Sequence, residues 1–197
     1  MKLYASPASP FVRKARVVLI ETGLLAQTEV IDVAASPLKQ ALDQPNPLGK
    51  IPALAAEGQT MVDSRVICRY LDARAGTDLY PDGAWDVLTL EAMADGIMEA
   101  AVLVVYEQRF RPEAQQSAEW MDGQWSKVAR ALDWIDSTDP ACLQHALNIA
   151  QIALGCALGY LDLRHSDRNW RDGRPRLAAW DASFSRRPAM QQTRPEA

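Results

Sequence analysis

Three short segments carry the polar groups most able to do chemistry: Ser9-Pro10-Phe11-Val12-Arg13-Lys14, Asn46-Pro47-Leu48-Gly49-Lys50-Ile51-Pro52 and Asp63-Ser64-Arg65. Serine before proline opens a helix, so the first offers a hydroxyl beside exposed N–H groups at a positive helix end. A hydroxyl so placed either caps the helix or donates to an anion held at that end. The second reads as a loop whose Pro52 starts a strand. The third puts an acid and a hydroxyl at the opening of another helix. A carboxylate suits the Ser64 N–H and hydroxyl there, and Asp63 suits an ammonium. Together the three describe a small polar site for a zwitterionic, peptide-like anion.

The flanking patterns supply the elements that must position these residues. Lys2 to Ala5 reads as a strand. Pro10 to Gly23 reads as a helix, with Phe11, Ala15 and Val18 on one face. Thr28 to Val33 alternates as a strand does, and Ser36 to Asp43 allows one or two helical turns. Ile51 to Ala55 and Thr60 to Val62 flank Glu57-Gly58 in a hairpin pattern. Ser64 to Ala75 reads as a helix with Val66, Ile67, Tyr70 and Leu71 on one face, closed by Gly76. A helix between two strands implies a parallel pair, and the hairpin adds an antiparallel edge. Residues 1–77 thus predict a small α/β domain.

Residues 77–85 are rich in Asp, Pro and Gly and read as a linker. Residues 86–197 predict only helices: a long one from Asp86 to Arg109, a second bearing Trp120, Val128, Leu132 and Ile135, and a third from Ile149 to Leu161. The third is apolar nearly all round and belongs at a centre. A short last helix from Leu177 to Ser185 is stopped by Pro188.

Composition narrows the function classes. The chain has 197 residues, 48 % apolar and 23 % charged, with a net charge of −4. That is ordinary for a soluble globular protein. No basic stripe dominates, which argues against nucleic acid. Cys68, Cys142 and Cys156 share no close spacing, so neither a disulfide framework nor a metal site is expected. No segment reads as a signal peptide or membrane span, and a cytoplasmic protein is the expectation. His145 and His165 have no metal spacing, and no Ser-His-Asp order, P-loop or carboxylate pair stands out.

With these residues in place, the chain resembles glutathione S-transferases of the bacterial, serine-type cytosolic kind over nearly its whole length. Ser9-Pro10-Phe11 with Arg13, Gly49-Lys50-Ile51-Pro52 and Asp63-Ser64 carry the resemblance. Asn148-Ile149-Ala150-Gln151 and Arg187-Pro188 support it. The resemblance implies an α/β thioredoxin-like N-terminal domain followed by an all-α C-terminal domain. It implies glutathione as co-substrate, no prosthetic group, a small hydrophobic electrophile as second substrate, a detoxification role and a homodimer. Ser9 would activate the thiol, with Ser6 as its rival. Phe11, Lys50, Ile51, Pro52, Asp63 and Ser64 would bind glutathione, the Ile51–Pro52 bond being cis. Lys39 competes with Lys50 for the glycyl carboxylate. Met98, Val102 and Tyr106 would line the electrophile pocket. Serine at position 9 disfavours disulfide exchange there, and Cys68 reads as a small buried apolar residue. The family has Ser or Thr followed by Asp where this chain has Asn148 and Gln151. The alternatives are a non-catalytic ligand- or protein-binding relative and a glutathione-dependent isomerase, dehalogenase or peroxidase.

Overall fold

A computed structural model describes every residue except 35, 37, 39 to 42, 196 and 197. The proposed turns between Ser36 and Asp43, and Lys39, fall largely outside the described residues. The chain divides into two compact units, Met1–Asp82 with Pro188–Ala197, and Gly83–Arg187.

The first unit holds a four-stranded sheet of order β2-β1-β3-β4. β1 (Lys2–Ala5) pairs in parallel with β2 (Glu29–Asp32) and antiparallel with β3 (Ala53–Ala56). β4 (Gln59–Val62) closes the hairpin on β3. Its two turn residues, Glu57 and Gly58, both have positive φ, at 51° and 75°. That is the type I′ turn whose twist suits a two-residue hairpin, with glutamate in an αL position usually given to Asn or Asp. Arg74 pairs with Glu57.

α1 (Pro10–Glu21) and α2 (Ser64–Ala75) pack on each other, and α2 also lies against β3 and β4. Their buried faces differ slightly from those the spacing predicts. Val12, Ala15, Val18 and Leu19 fill the core from α1, whereas Phe11 is only half-buried. Ile67, Cys68 and Leu71 do so from α2, while Val66 is 50 % exposed. An i, i+3, i+4 pattern fixes a stripe only to within a residue when neighbouring positions are also apolar.

The second unit contains α3 (Trp85–Phe110), α4 (Ala118–Thr138), α5 (Ile149–Arg164) and α6 (Pro175–Phe184). α5 is buried on all sides, from Ile149 to Leu161, and packs chiefly on α3. Trp120 does not join the α4 core face of Val128, Leu132 and Ile135; it is 38 % exposed. Asp162 ties the segment after α5 in place. It accepts from Trp170 Nε1 at 2.8 Å and from both terminal nitrogens of Arg171 at 2.5 and 2.8 Å.

The start of α5 shows what the Asn148 and Gln151 departure does. The two side chains form a reciprocal capping box. Their amides also donate: Asn148 Nδ2 to Cys142 O and Ala146 O, and Gln151 Nε2 to the carbonyls of Cys142, Leu143 and His145. A carboxylate at 151 has no proton to give these carbonyls. The amides therefore hold down the 141–148 segment as well as capping the helix.

Pro188 does not end the helical region. It opens a further helix, α7 (Pro188–Gln192), which packs on α1. Proline at a first helical position needs no N–H, so a stop signal for one helix serves as a start for the next. The tail thus groups with the first unit, whereas the helical pattern puts all of residues 86–197 in the second.

His165 caps α5 from a buried position, 4 % exposed, and its Nε2 donates to Ala101 O at 3.0 Å. Burial pushes its pKa down; the Ala101 carbonyl and Asp167 pull the other way, and Arg168 and Arg164 add to the fall. The unfolded chain then takes up this proton before the native state does. Stability is complete above the unfolded value near 6.5 and falls as pH drops below it. Thermal melts of the wild type should lose stability from about pH 6.5 towards 5, and His165→Gln should flatten that slope. Parallel slopes for the two proteins would remove His165 as the cause.

Candidate functional site

The sheet register brings the three segments to one place. Tyr4 near the end of β1 pairs with Ala53 at the start of β3, and Ala53 pairs with Val62 at the end of β4. The Ser6–Ser9 turn, the loop ending at Pro52 and the Asp63-Ser64 pair therefore emerge at the same end of the sheet. The N-termini of α1 and α2 start from that end, so two sets of unpaired N–H groups and two positive helix ends share it.

Ser9 is the N-cap of α1, with extended backbone and Pro10 in the first turn. Its hydroxyl oxygen accepts from Val12 N at 3.3 Å, a long bond that leaves the hydroxyl proton for another acceptor. Ser9 is half-buried. Its own N–H donates to Ser6 O at 3.1 Å, so Ser6 supports the turn through its backbone.

The Ile51–Pro52 peptide bond is cis. The loop before it is organised by Asn46, a residue that pattern reading passed over except as a breaker. Asn46 is 2 % exposed. Its Oδ1 accepts from Leu48 N, its Nδ2 donates to Lys50 O, and its N–H donates to Gln44 Oε1. Gln44 Nε2 reaches the same Lys50 carbonyl at 3.4 Å. The signal for this in the sequence was asparagine between two prolines, an Asx-turn former in a segment barred from helix. The Lys50 side chain itself is exposed. Asn46→Ala should cost about 2 kcal/mol, because it strands buried backbone groups. Denaturant unfolding measures it, and a change under about 0.5 kcal/mol would show the loop holds without its central amide.

Asp63 caps α2 at φ 73°, a backbone region that costs a non-glycine residue roughly 1–3 kcal/mol. Its Oδ1 accepts from Arg65 N at 2.9 Å and Arg65 Nε at 3.3 Å. Partial burial raises its pKa, but the Arg65 guanidinium and N–H, helped by Lys14, outweigh this and leave it below the ordinary 3.8. The carboxylate is thus charged at neutral pH, and neither Arg65 bond uses Oδ2. Ser64 follows at 5 % exposure, in the first turn of the helix.

The proposed pocket residues lie on α3, in the other unit. Met98 has no exposed surface and is part of that unit's own core. Val102 and Tyr106 are half-buried, and Tyr106 meets Phe110 edge-on at 5.3 Å. A cleft of about 530 Å³ beside Trp180 and Phe184 contains none of the site residues above. Among the described residues no cluster of His, Cys, Asp or Glu is placed to hold a metal, and no helix is long and apolar enough to cross a membrane. Cys68 is fully buried.

Known proteins share this fold. Residues 3–78 match the glutathione S-transferase N-terminal domain and residues 118–180 the C-terminal domain. An uncharacterized GST-like protein, YibF, of Escherichia coli K12 is 36 % identical, covering 99 % of this chain and 98 % of its own. A glutathione transferase family member from Pseudomonas fluorescens Pf-5, crystallised with bound glutathione, superposes with a TM-score of 0.95. It is 48 % identical over 100 % of this chain and 99 % of its own. A further crystal structure from that organism holds S-(propanoic acid)-glutathione, at a TM-score of 0.93 and 46 % identity over the whole of both chains. The chain belongs to the glutathione S-transferase family.

Proposed function

We propose that this protein is a serine-type glutathione transferase. One observation carries the reading: the N-termini of α1 and α2, with Ser9 on one and Asp63-Ser64 on the other, open beside the cis-proline loop at one end of the sheet. In this reading Asp63 takes the α-ammonium of the γ-glutamyl group, and the Ser64 N–H and hydroxyl take its carboxylate. The Ile51 backbone pairs with the cysteinyl part as an added strand would, beside Pro52. Phe11 borders the thiol, and Lys50 meets the glycyl carboxylate.

Chemically, Ser9 donates its hydroxyl proton in a hydrogen bond to the thiolate without becoming the nucleophile. The helix end adds to that stabilisation. The glutathione sulfur then attacks a carbon electrophile, and a leaving group departs or the product takes a proton from water. A relative's complex with S-(propanoic acid)-glutathione favours a thioether product over a disulfide. Serine at position 9 agrees, having no sulfur for a mixed disulfide. The working unit is a cytoplasmic homodimer.

Retention on glutathione resin with elution by free glutathione, followed by assay against a panel of halogenated and unsaturated electrophiles, tests the reading. Specific retention with turnover is expected. Retention without turnover points instead to a binding protein, and failure to bind refutes the proposal. Light scattering at micromolar concentration should report twice the chain mass; a monomer would remove the dimer from it.

A further inference from the structure

The N-terminal half of α1 breaks the usual rule of helix charge. Acids belong in a first turn, yet α1 has none there and carries Arg13 instead, with Lys14 and Arg16 just beyond it. Arg13 and Lys14 are also buried, at 7 % and 0 % exposure. A cation such as Arg13, near a positive helix end, out of water and without a carboxylate bound to it among the described residues, costs stability, and such departures are found where function demands them.

Arg13 is held in a specific way. Its Nη2 donates to Met190 O at 3.1 Å and its Nε to Thr193 Oγ1 at 3.4 Å. Both acceptors are neutral, and both belong to α7 or the residue just after it. Thr193 is itself 4 % exposed and donates to Ala189 O at 2.8 Å. Nη1 is buried with no acceptor among the described residues. The clamp therefore fixes the guanidinium without neutralising it. Arg13 N donates to Ser9 O at 3.0 Å, which places it one helical turn behind the proposed thiolate donor.

We propose that Arg13 is a positioning residue for the glutathione thiolate: clamped by α7, it holds α1 in place and adds a buried positive charge behind Ser9, with no carboxylate bound to it among the described residues. This rests on the glutathione reading above. A carboxylate partner would cancel the charge, whereas carbonyl and hydroxyl oxygens hold the group and keep its field. The C-terminal helix thereby becomes part of the thiol-activating machinery without touching the ligand.

The test titrates the thiolate absorbance of bound glutathione in wild type, Arg13→Gln, Arg13→Lys and Thr193→Val. Arg13→Gln keeps a donor and removes the charge; it should raise the bound thiol pKa by about one unit and leave the glutathione Kd within roughly threefold. Arg13→Lys restores the charge and should bring the pKa back to within a few tenths of wild type. An unmoved pKa in Arg13→Gln, or an equal rise in both variants, overturns the electrostatic role. Should Arg13→Gln not fold, Thr193→Val decides: losing one clamp bond should raise the thiol pKa by a few tenths, and no change overturns the clamp. Wild type that binds no glutathione refutes the transferase reading and this proposal together. Wild type with a lowered thiol pKa that Arg13 does not control refutes only the latter.

Discussion

Ser9→Ala is expected to fold, to bind glutathione, and to lose its hold on the thiolate. As an N-cap alone the serine is worth about 1 kcal/mol of stability. As a donor to a charged sulfur it is worth roughly 1.5–3 kcal/mol, or about 1–2 units in the pKa of bound glutathione. Thiolate absorbance in the binary complex reads that shift directly. Turnover at neutral pH should fall roughly 10–100-fold, with glutathione affinity little changed, because the other contacts to the peptide lie at Ile51, Asp63 and Ser64. Ser6→Ala is the control and should move neither quantity. If Ser6→Ala shifts the thiol and Ser9→Ala does not, the donor is misassigned. If neither shifts it, backbone N–H groups at the start of α1 stabilise the thiolate and Ser9 is only a cap.

The second large effect is expected at Asp63, where cap and ligand role can be separated. Asp63→Asn keeps an oxygen for Arg65 N, and asparagine tolerates positive φ. It removes the charge that an ammonium needs. Stability should change by under about 0.5 kcal/mol while the glutathione Kd rises roughly tenfold, the lower end for a charged hydrogen bond because the side chain is 49 % exposed. The pH dependence has a definite sign. The pKa is depressed, so the Asp63 contribution to binding stays intact down to the ordinary carboxylate range and fades only as pH falls through the lowered value. Calorimetry showing equal affinities for wild type and Asp63→Asn would take Asp63 out of the site.

Much of this architecture was legible from local rules. Ser64 to Ala75 with Gly76 as its stop, the Glu57-Gly58 turn and the nearly all-round apolar run of α5 from Ile149 to Leu161 each follow from capping, turn chemistry or periodicity. The parallel pairing of β1 and β2 followed from the helix between them. What escaped were features set by distant partners. Asn46 looked like a chain breaker because its role depends on bonds to Leu48, Lys50 and Gln44 in one folded loop. Arg13 belonged to a sequence motif, but its partners stand at Met190 and Thr193, far along the chain. Pro188 was read as an end because a proline's position in a helix cannot be told from the residue alone.

The amides at Asn148 and Gln151 have a consequence for acid and salt. A carboxylate at either position would change its protonation as pH fell and would feel added salt. An amide does neither. The attachment of the 141–148 segment to α5 thus stays the same from neutral solution well into acid, and at any ordinary ionic strength. The buried group that loses stability to acid, His165, caps the opposite end of α5, away from the end that the amides secure.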